Sequence, residues 1–166
     1  MNKNIVLIGF MGSGKSMISR ELGKRLRTDV IATDALAEAK EGMSIHEIFK
    51  SKGEVYFRDL ETGIIKDISL KQGIIIDCGG GVILRKENLQ HLKTNGIVFY
   101  LQATPEVIYQ RIKHETHRPL LKVPDPLGCI KELYNQRLPL YNQADHVIDA
   151  NDVSIEGPVV EILNKI

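Results

Sequence analysis

Directly after an apolar run at residues 5–8 the chain reads Gly9-Phe10-Met11-Gly12-Ser13-Gly14-Lys15-Ser16, and a stretch with helical periodicity follows to residue 26. A G-x-x-x-x-G-K-[ST] pattern between a strand and a helix leaves few folds open. Glycines let the backbone wrap so that successive N–H groups point inward, and the next helix adds the partial positive charge of its N-terminus. Together they cradle a phosphate. In such a loop Lys15 reaches the β- and γ-phosphates and the Ser16 hydroxyl ligates Mg²⁺. Gly12, Ser13, Gly14, Lys15, Ser16 and Met17 are the expected contacts of a nucleoside triphosphate, here read as ATP. A glycine-rich turn without a ligand is the competing reading, and the flanking strand and helix count against it.

The remaining chain agrees with the fold this loop demands. Short apolar runs at residues 4–9, 30–32, 73–77, 97–101 and 146–149 alternate with longer segments of helical period, which predicts βαβ units around a parallel sheet. Helix starts are well marked: Ser44 with Glu47 forms a capping box, Thr104 and Asp125 each precede a proline, and Ser154 is positioned to cap the last helix. With 166 residues, 43% hydrophobic, and no repeat or Pro/Gly/Ser linker, residues 1–166 are expected to form one domain. Ligands of open α/β sheets bind beyond the carboxyl ends of the strands. Chemistry should therefore be sought at residues 9–16, 33–34 and 77–81.

Charge and cysteine content narrow the partners. Lys and Arg number 22 against 21 Asp and Glu, so a net charge of +1 supplies no field for nucleic acid or an anionic membrane. No signal peptide or membrane span is legible, so a cytoplasmic location is expected. Cys78 and Cys129 form neither a metal-ligand spacing nor a disulfide framework, and the five histidines are scattered. Nothing in the sequence calls for a partner chain, and a monomer is expected.

Three further features bear on the phosphate acceptor. The segment from Gly53 and Glu54 through Phe57, Arg58 and Glu61 starts a helix on which Arg58 and Glu61, three apart, share a face. Gly79-Gly80-Gly81 follows the strand ending in Asp77, and Arg137, in Arg137-Leu138-Pro139-Leu140-Tyr141, is expected to end another helix. With the phosphate loop these segments resemble the shikimate kinase family. Its ordered set is the loop, an Asp after the second strand, G-E-x-x-F-R-x-x-E, G-G-G, a lid with R-P-L, and R-x-P-x-Y. The set spans nearly the whole chain.

The resemblance implies a three-layer P-loop kinase fold, a five-stranded parallel sheet of order 2-3-1-4-5 with flanking helices and a mobile lid at about residues 114–125. It implies transfer of the γ-phosphate of ATP, with Mg²⁺ as cofactor, to the 3-hydroxyl of shikimate in aromatic amino-acid biosynthesis. Residues of about 33–61 would shape the acceptor site. By position, Asp34 would hold and polarise the acceptor hydroxyl, and Arg58 and Arg137 would clamp the shikimate carboxylate with the amides of Gly80 and Gly81. Arg118 would be the lid arginine, Arg111 would stack on adenine, and the loop containing Asn151 would enclose the base. Guanidinium forks suit planar carboxylates, and phosphoryl transfer needs positioning and charge neutralisation above all.

Each residue also has a purely structural reading. Asp34 could cap a helix, Arg58 and Glu61 could be an exposed pair, Arg137 could favour a helix C-terminus, and Cys78 reads as a small buried residue. Two other functions stay open: another small-molecule P-loop kinase, gluconate-like or acting on a nucleoside monophosphate, and a nucleotide-binding module without turnover. The second arises because Ala32 stands where the family usually has the first Asp of Asp-x-Asp, a carboxylate that helps hold Mg²⁺. Asp77 ends an apolar strand next to the phosphate-loop strand, where family members commonly carry a small hydroxyl residue. We expect Asp77, with Ser16, to hold the metal in place of position 32, against the reading that it only caps the glycine turn.

Overall fold

In the computed structural model, which describes residues 2–115 and 121–166, five strands form one parallel sheet. They are β1 (Asn4–Ile8), β2 (Val30–Ala32), β3 (Ile75–Asp77), β4 (Gly96–Gln102) and β5 (His146–Asp149), in the order β2-β3-β1-β4-β5 implied by the resemblance. Between and after them lie α1 (Lys15–Leu26), α2 (Thr33–Glu41), α3 (Ile45–Ser69), α4 (Lys86–Asn95), α5 (Pro105–Ile112), α6 (Pro126–Tyr141) and α7 (Glu156–Leu163).

Because side chains alternate across a strand, each central strand feeds two cores. Ile5 and Leu7 of β1 join Ile75, Phe99 and Leu101 against α1 and α7, while Val6 and Ile8 join Ile76, Val98 and Tyr100 against α3, α4 and α6. Each such side chain, fully buried, is worth about 1.5–3 kcal/mol relative to exposure. Both faces of β1 are thereby covered, and its carboxyl end opens only along the edge where the phosphate loop begins. Among the described residues no helix is long and apolar enough to cross a membrane.

Most helix starts follow the expected chemistry. The Ser44–Glu47 box closes in both directions, the Thr104 hydroxyl accepts from the Val107 amide, and Asp125 accepts from the Gly128 amide. Ser154 stands one residue ahead of the N-cap of α7, Ile155, yet its hydroxyl still accepts from the Glu156 amide at 3.2 Å. Asp34 is not a cap. It lies in the first turn of α2, whose N-cap Ala32 has no side-chain acceptor. Helix α6 does not end at Arg137 either, but continues through Pro139 to Tyr141, with the Asn142 amide closing on the Leu138 carbonyl. Gly53 (φ 83°, ψ 170°) breaks α3 into two helical segments, and the second carries Phe57, Arg58 and Glu61.

Close packing leaves no room for a side chain at Gly96 although its φ is ordinary. A β-carbon there would stand 2.5 Å from the Leu92 carbonyl oxygen and 2.8 Å from Val6 Cγ2, whereas one on Gly63, inside α3, would meet nothing within 4 Å. Gly96→Ala should cost about 1–3 kcal/mol as an overpacked site. Gly63→Ala should gain about 0.5–1 kcal/mol from helix propensity. Thermal unfolding should lower Tm for the first and raise it for the second, by about 2–4 °C per kcal/mol.

Candidate active site

The phosphate loop leaves β1 and enters α1 through Gly12 (φ 74°) and Gly14 (φ 94°), left-handed positions that other residues rarely adopt. Space is also short at Gly12, where a β-carbon would come within 2.7 Å of Ile112 Cγ2. Lys15 folds back over the loop, its Nζ donating to the Gly9 carbonyl at 2.8 Å and the Phe10 carbonyl at 3.1 Å. Neither a capping side chain nor an acidic residue occupies the start of α1, so its positive end faces the cleft. Two cavities meet at this loop. One, of about 320 Å³, is lined by Lys15, Ser16, Asp34, Asp77, Gly79 and Gly80 among others. The second, of about 410 Å³, runs from Gly12 and Gly14 towards Arg111 and residues 152–154. Met17, 58% exposed, borders both.

The carboxylates in the first cavity come from two strand ends. Asp34 lies against Gly79, where any β-carbon would strike its carboxylate, and the start of α2 is tied to the same loop by the Gly79 amide donating to Thr33 Oγ1 at 2.9 Å. Its carboxyl still reaches solvent, but packing raises its pKa above the usual Asp value while Lys15 pulls it down. Asp77, 7% exposed, sits in register with Leu7 of β1 on one side and Ala32 of β2 on the other. The turn after β3 is held by Thr33 and by the Val82 amide on the Gly79 carbonyl, not by Asp77. Ser19, one turn beyond Ser16 on α1, places its hydroxyl 3.2 Å from the Ser16 carbonyl and 3.5 Å from Asp77 Oδ2. Sequence reasoning passed over Ser19; its i+3 spacing from Ser16 was the available signal. Among the described residues no three His, Cys, Asp or Glu side chains gather into a metal cage. The Ser16 hydroxyl and Asp77 carboxylate are nevertheless hard oxygen donors of the kind Mg²⁺ takes in kinase sites, where one or two carboxylates suffice. Cys78 is buried as expected, and burial pushes its thiol pKa well up, which makes it a poor nucleophile.

Beside the glycine turn, Arg58 and Glu61 are not an exposed pair. Glu61 is 2% exposed, accepts from Arg58 Nη1 at 2.7 Å, and keeps its Oε1 without a described partner. The Arg58 guanidinium stacks 5.0 Å from the Phe57 ring centroid and lies flat on Gly81, where a β-carbon would be 2.5 Å from Nη2. Arg137 reaches 5.8 Å from the Phe10 ring centroid, with its Nε buried and unpartnered among the described residues. Tyr141, which feels the charge of both arginines and is hydrogen-bonded to Arg137, donates its hydroxyl to the Gly80 carbonyl at 2.6 Å.

At the second cavity Arg111 binds carbonyls: Nη1 donates to Gly12, and Nη2 to Ala150 at 2.8 Å, Asn151 at 3.2 Å and Asp152 at 2.7 Å. The Asn151 side chain is committed to the loop itself, accepting from the Thr104 amide at 2.8 Å and donating to Asp149 at 2.7 Å. Asp152, Val153 and Ser154 line the cavity instead. Arg118 lies outside the described residues, as do its neighbours at 116–120; from the expected lid, Leu121 packs against the core.

Burial raises the Glu61 pKa, and the adjacent Arg58 only partly offsets this. A carboxyl with a raised folded pKa gives stability that is complete below its unfolded value, about 4.3 for Glu, and is lost as pH rises through the folded value. Glu61→Gln removes that loss. Its Tm relative to the unsubstituted chain should move in the variant's favour from about pH 4 to about pH 7. A difference independent of pH would contradict this account of Glu61.

Comparison with known proteins bears on the same site. The sequence profile of the family described as "Shikimate kinase" matches residues 11–166. The shikimate kinase of Thermodesulfovibrio yellowstonii is 45% identical over 163 residues, covering 98% of this chain and 94% of that one. The solved structure of shikimate kinase from Acinetobacter baumannii in complex with shikimate superposes with a TM-score of 0.92 at 34% identity, over 98% of this chain and 92% of that one. Shikimate kinase from Aquifex aeolicus gives a TM-score of 0.85 at 38% identity, over 97% and 94% of the two chains. With a profile match from the phosphate loop to the last residue and relatives aligned over nearly their whole lengths, the chain belongs to the shikimate kinase family of ATP-dependent phosphotransferases.

Proposed function

We propose that this chain, acting as one kinase domain, transfers the γ-phosphate of ATP to the 3-hydroxyl of shikimate. The observation that carries the reading is the placement of the Arg58 guanidinium on Gly81, at the end of the glycine turn whose Gly79 and Gly80 line the first cavity together with the phosphate loop. That arrangement holds a carboxylate at one end of a small acceptor while its hydroxyl faces the donor. Lys15 leaves its carbonyl partners for the β- and γ-phosphates, and the α1 N-terminus neutralises them further. The raised pKa of Asp34 makes it a better proton acceptor than an ordinary Asp. As the acceptor O–H breaks, its proton passes to the Asp34 carboxylate, the oxygen bonds to the γ-phosphorus, and the bond to ADP breaks. Ser16 and Asp77 would hold Mg²⁺, which when bound would neutralise negative charge on the transferring phosphate. Arg111 would face the adenine and Arg118 the transferring phosphoryl group.

A coupled ADP-release assay across shikimate, gluconate and nucleoside monophosphates tests the acceptor. Turnover should appear with shikimate alone. A charge-assisted contact to a carboxylate is worth roughly 1.5–3 kcal/mol. Arg137→Ala should therefore raise the shikimate KM by roughly tenfold to a hundredfold and leave the ATP KM within about twofold. An unchanged shikimate KM would remove Arg137 from the clamp.

The register of Ala32 with Asp77 supports an exchange of carboxylates between neighbouring strands, which lie about 4.8 Å apart. Asp77→Asn should raise the Mg²⁺ concentration needed for half-maximal activity and weaken the Mg²⁺ enhancement of ADP binding seen by calorimetry. Asp77→Ser with Ala32→Asp should recover much of both. Full activity of Asp77→Asn at limiting Mg²⁺ would refute the exchange.

A further inference from the structure

Tyr141 closes the R-x-P-x-Y segment, and the reaction as described makes no use of it. Its ring is 0% exposed and stacks on Tyr100 with centroids 4.9 Å apart and planes 8° apart. Tyr100 shares a 3.1 Å hydroxyl contact with Tyr134, which meets Phe10 of the phosphate loop edge-on at 5.9 Å. A buried tyrosine hydroxyl ordinarily finds an acceptor, so a bond to some carbonyl is unremarkable. Which carbonyl it finds is informative.

The Gly80 carbonyl belongs to the peptide that also carries the Gly81 N–H. A trans peptide is planar, with its C=O and N–H pointing in opposite directions, so fixing one fixes the other. Between two glycines no β-carbon limits φ and ψ on either side of that plane, and the Tyr141 hydroxyl is the donor that holds its carbonyl. Neighbouring amides of the turn are engaged, that of Gly79 with Thr33 Oγ1 and that of Val82 with the Gly79 carbonyl. Among the described residues the amides of Gly80 and Gly81 have no acceptor. Gly81 lies beside the Arg58 guanidinium, Gly80 faces the phosphate-loop backbone, and the guanidinium of Arg137 stands by the same tyrosine hydroxyl. If the plane turned over, a carbonyl oxygen would take the place of a donor and repel an anion there.

We infer that Tyr141 is a positioning residue for the acceptor's carboxylate: its hydroxyl pins the Gly80 carbonyl towards the buried tyrosine so that the oppositely directed Gly81 N–H faces the anion held by Arg58 and Arg137. The inference rests on the proposed acceptor reading and adds the group that orients the site. Burial pushes the Tyr141 hydroxyl up to about 12, so it remains a donor throughout the neutral range.

Tyr141→Phe keeps the stacked ring and deletes only the hydroxyl. It should raise the shikimate KM by about tenfold, equivalent to about 1.4 kcal/mol, with kcat and the ATP KM within about twofold. The methyl ester of shikimate, which lacks the anion, should bind the variant and the unsubstituted protein equally well. A purely structural role would lower kcat, ATP affinity and ester affinity together, and that outcome, or an unchanged shikimate KM, overturns the inference. Arg137→Ala measured in parallel separates the two proposals. A rise there with none in Tyr141→Phe removes the positioning role alone; silence in both removes the clamp with it. Should Tyr141→Phe not fold, the unsubstituted protein labelled with ¹⁵N-glycine still decides. Shikimate should shift the Gly81 amide resonance and the ester should shift it far less, whereas a Gly81 resonance unmoved by shikimate overturns the inference.

Discussion

Everything at this site depends on β1 lying in the middle of a parallel sheet with both faces buried. A strand so placed has no free edge and no solvated face, so the chain can present chemistry only where the strand ends. Because β2, β3 and β4 run parallel to β1, their carboxyl ends arrive at the same rim. The phosphate loop, Asp34 and the glycine turn after Asp77 meet there through topology, although they are spread over some seventy residues of sequence.

The charges gathered at that rim are under tension with the fold. Asp34 and Glu61 both have pKa values raised by the protein around them, and the Arg137 Nε is buried without a described partner. A buried donor or carboxylate left unsatisfied costs free energy, so such groups are expected where a ligand supplies the missing partner. Arg58 shows how the cost is contained. Its guanidinium is held by Glu61, backed by Phe57 and laid on the bare backbone of Gly81, so its direction is set before an acceptor arrives. Preorganisation of this kind moves ordering entropy from the binding step to the folding step.

Several structural readings that the residues allowed on their own dissolve once the helices are packed. Arg137 lies four residues short of the end of α6, so a C-terminal dipole does not explain it. Glu61 is enclosed by the core beneath α3, so its pairing with Arg58 is no surface contact. The Asn151 side chain is bonded within its own loop, whose carbonyls hold Arg111, while Ala150 and residues 152–154 line the second cavity.

The sequence by itself determined the phosphate loop, the strand segments and the helix starts at Ser44, Thr104 and Asp125, because each of these is encoded by residues within a few positions of one another. Order of the motifs identified the family, and with it the strand order that periodicity alone does not contain. Only the tertiary structure decided that Ser19 reaches Asp77 across 58 positions and that Tyr141 holds Gly80 across 61. Periodicity tells a residue which face it occupies. Its neighbour on that face is chosen by strand register and helix packing, which bring together residues whose separation along the chain carries no trace of the contact.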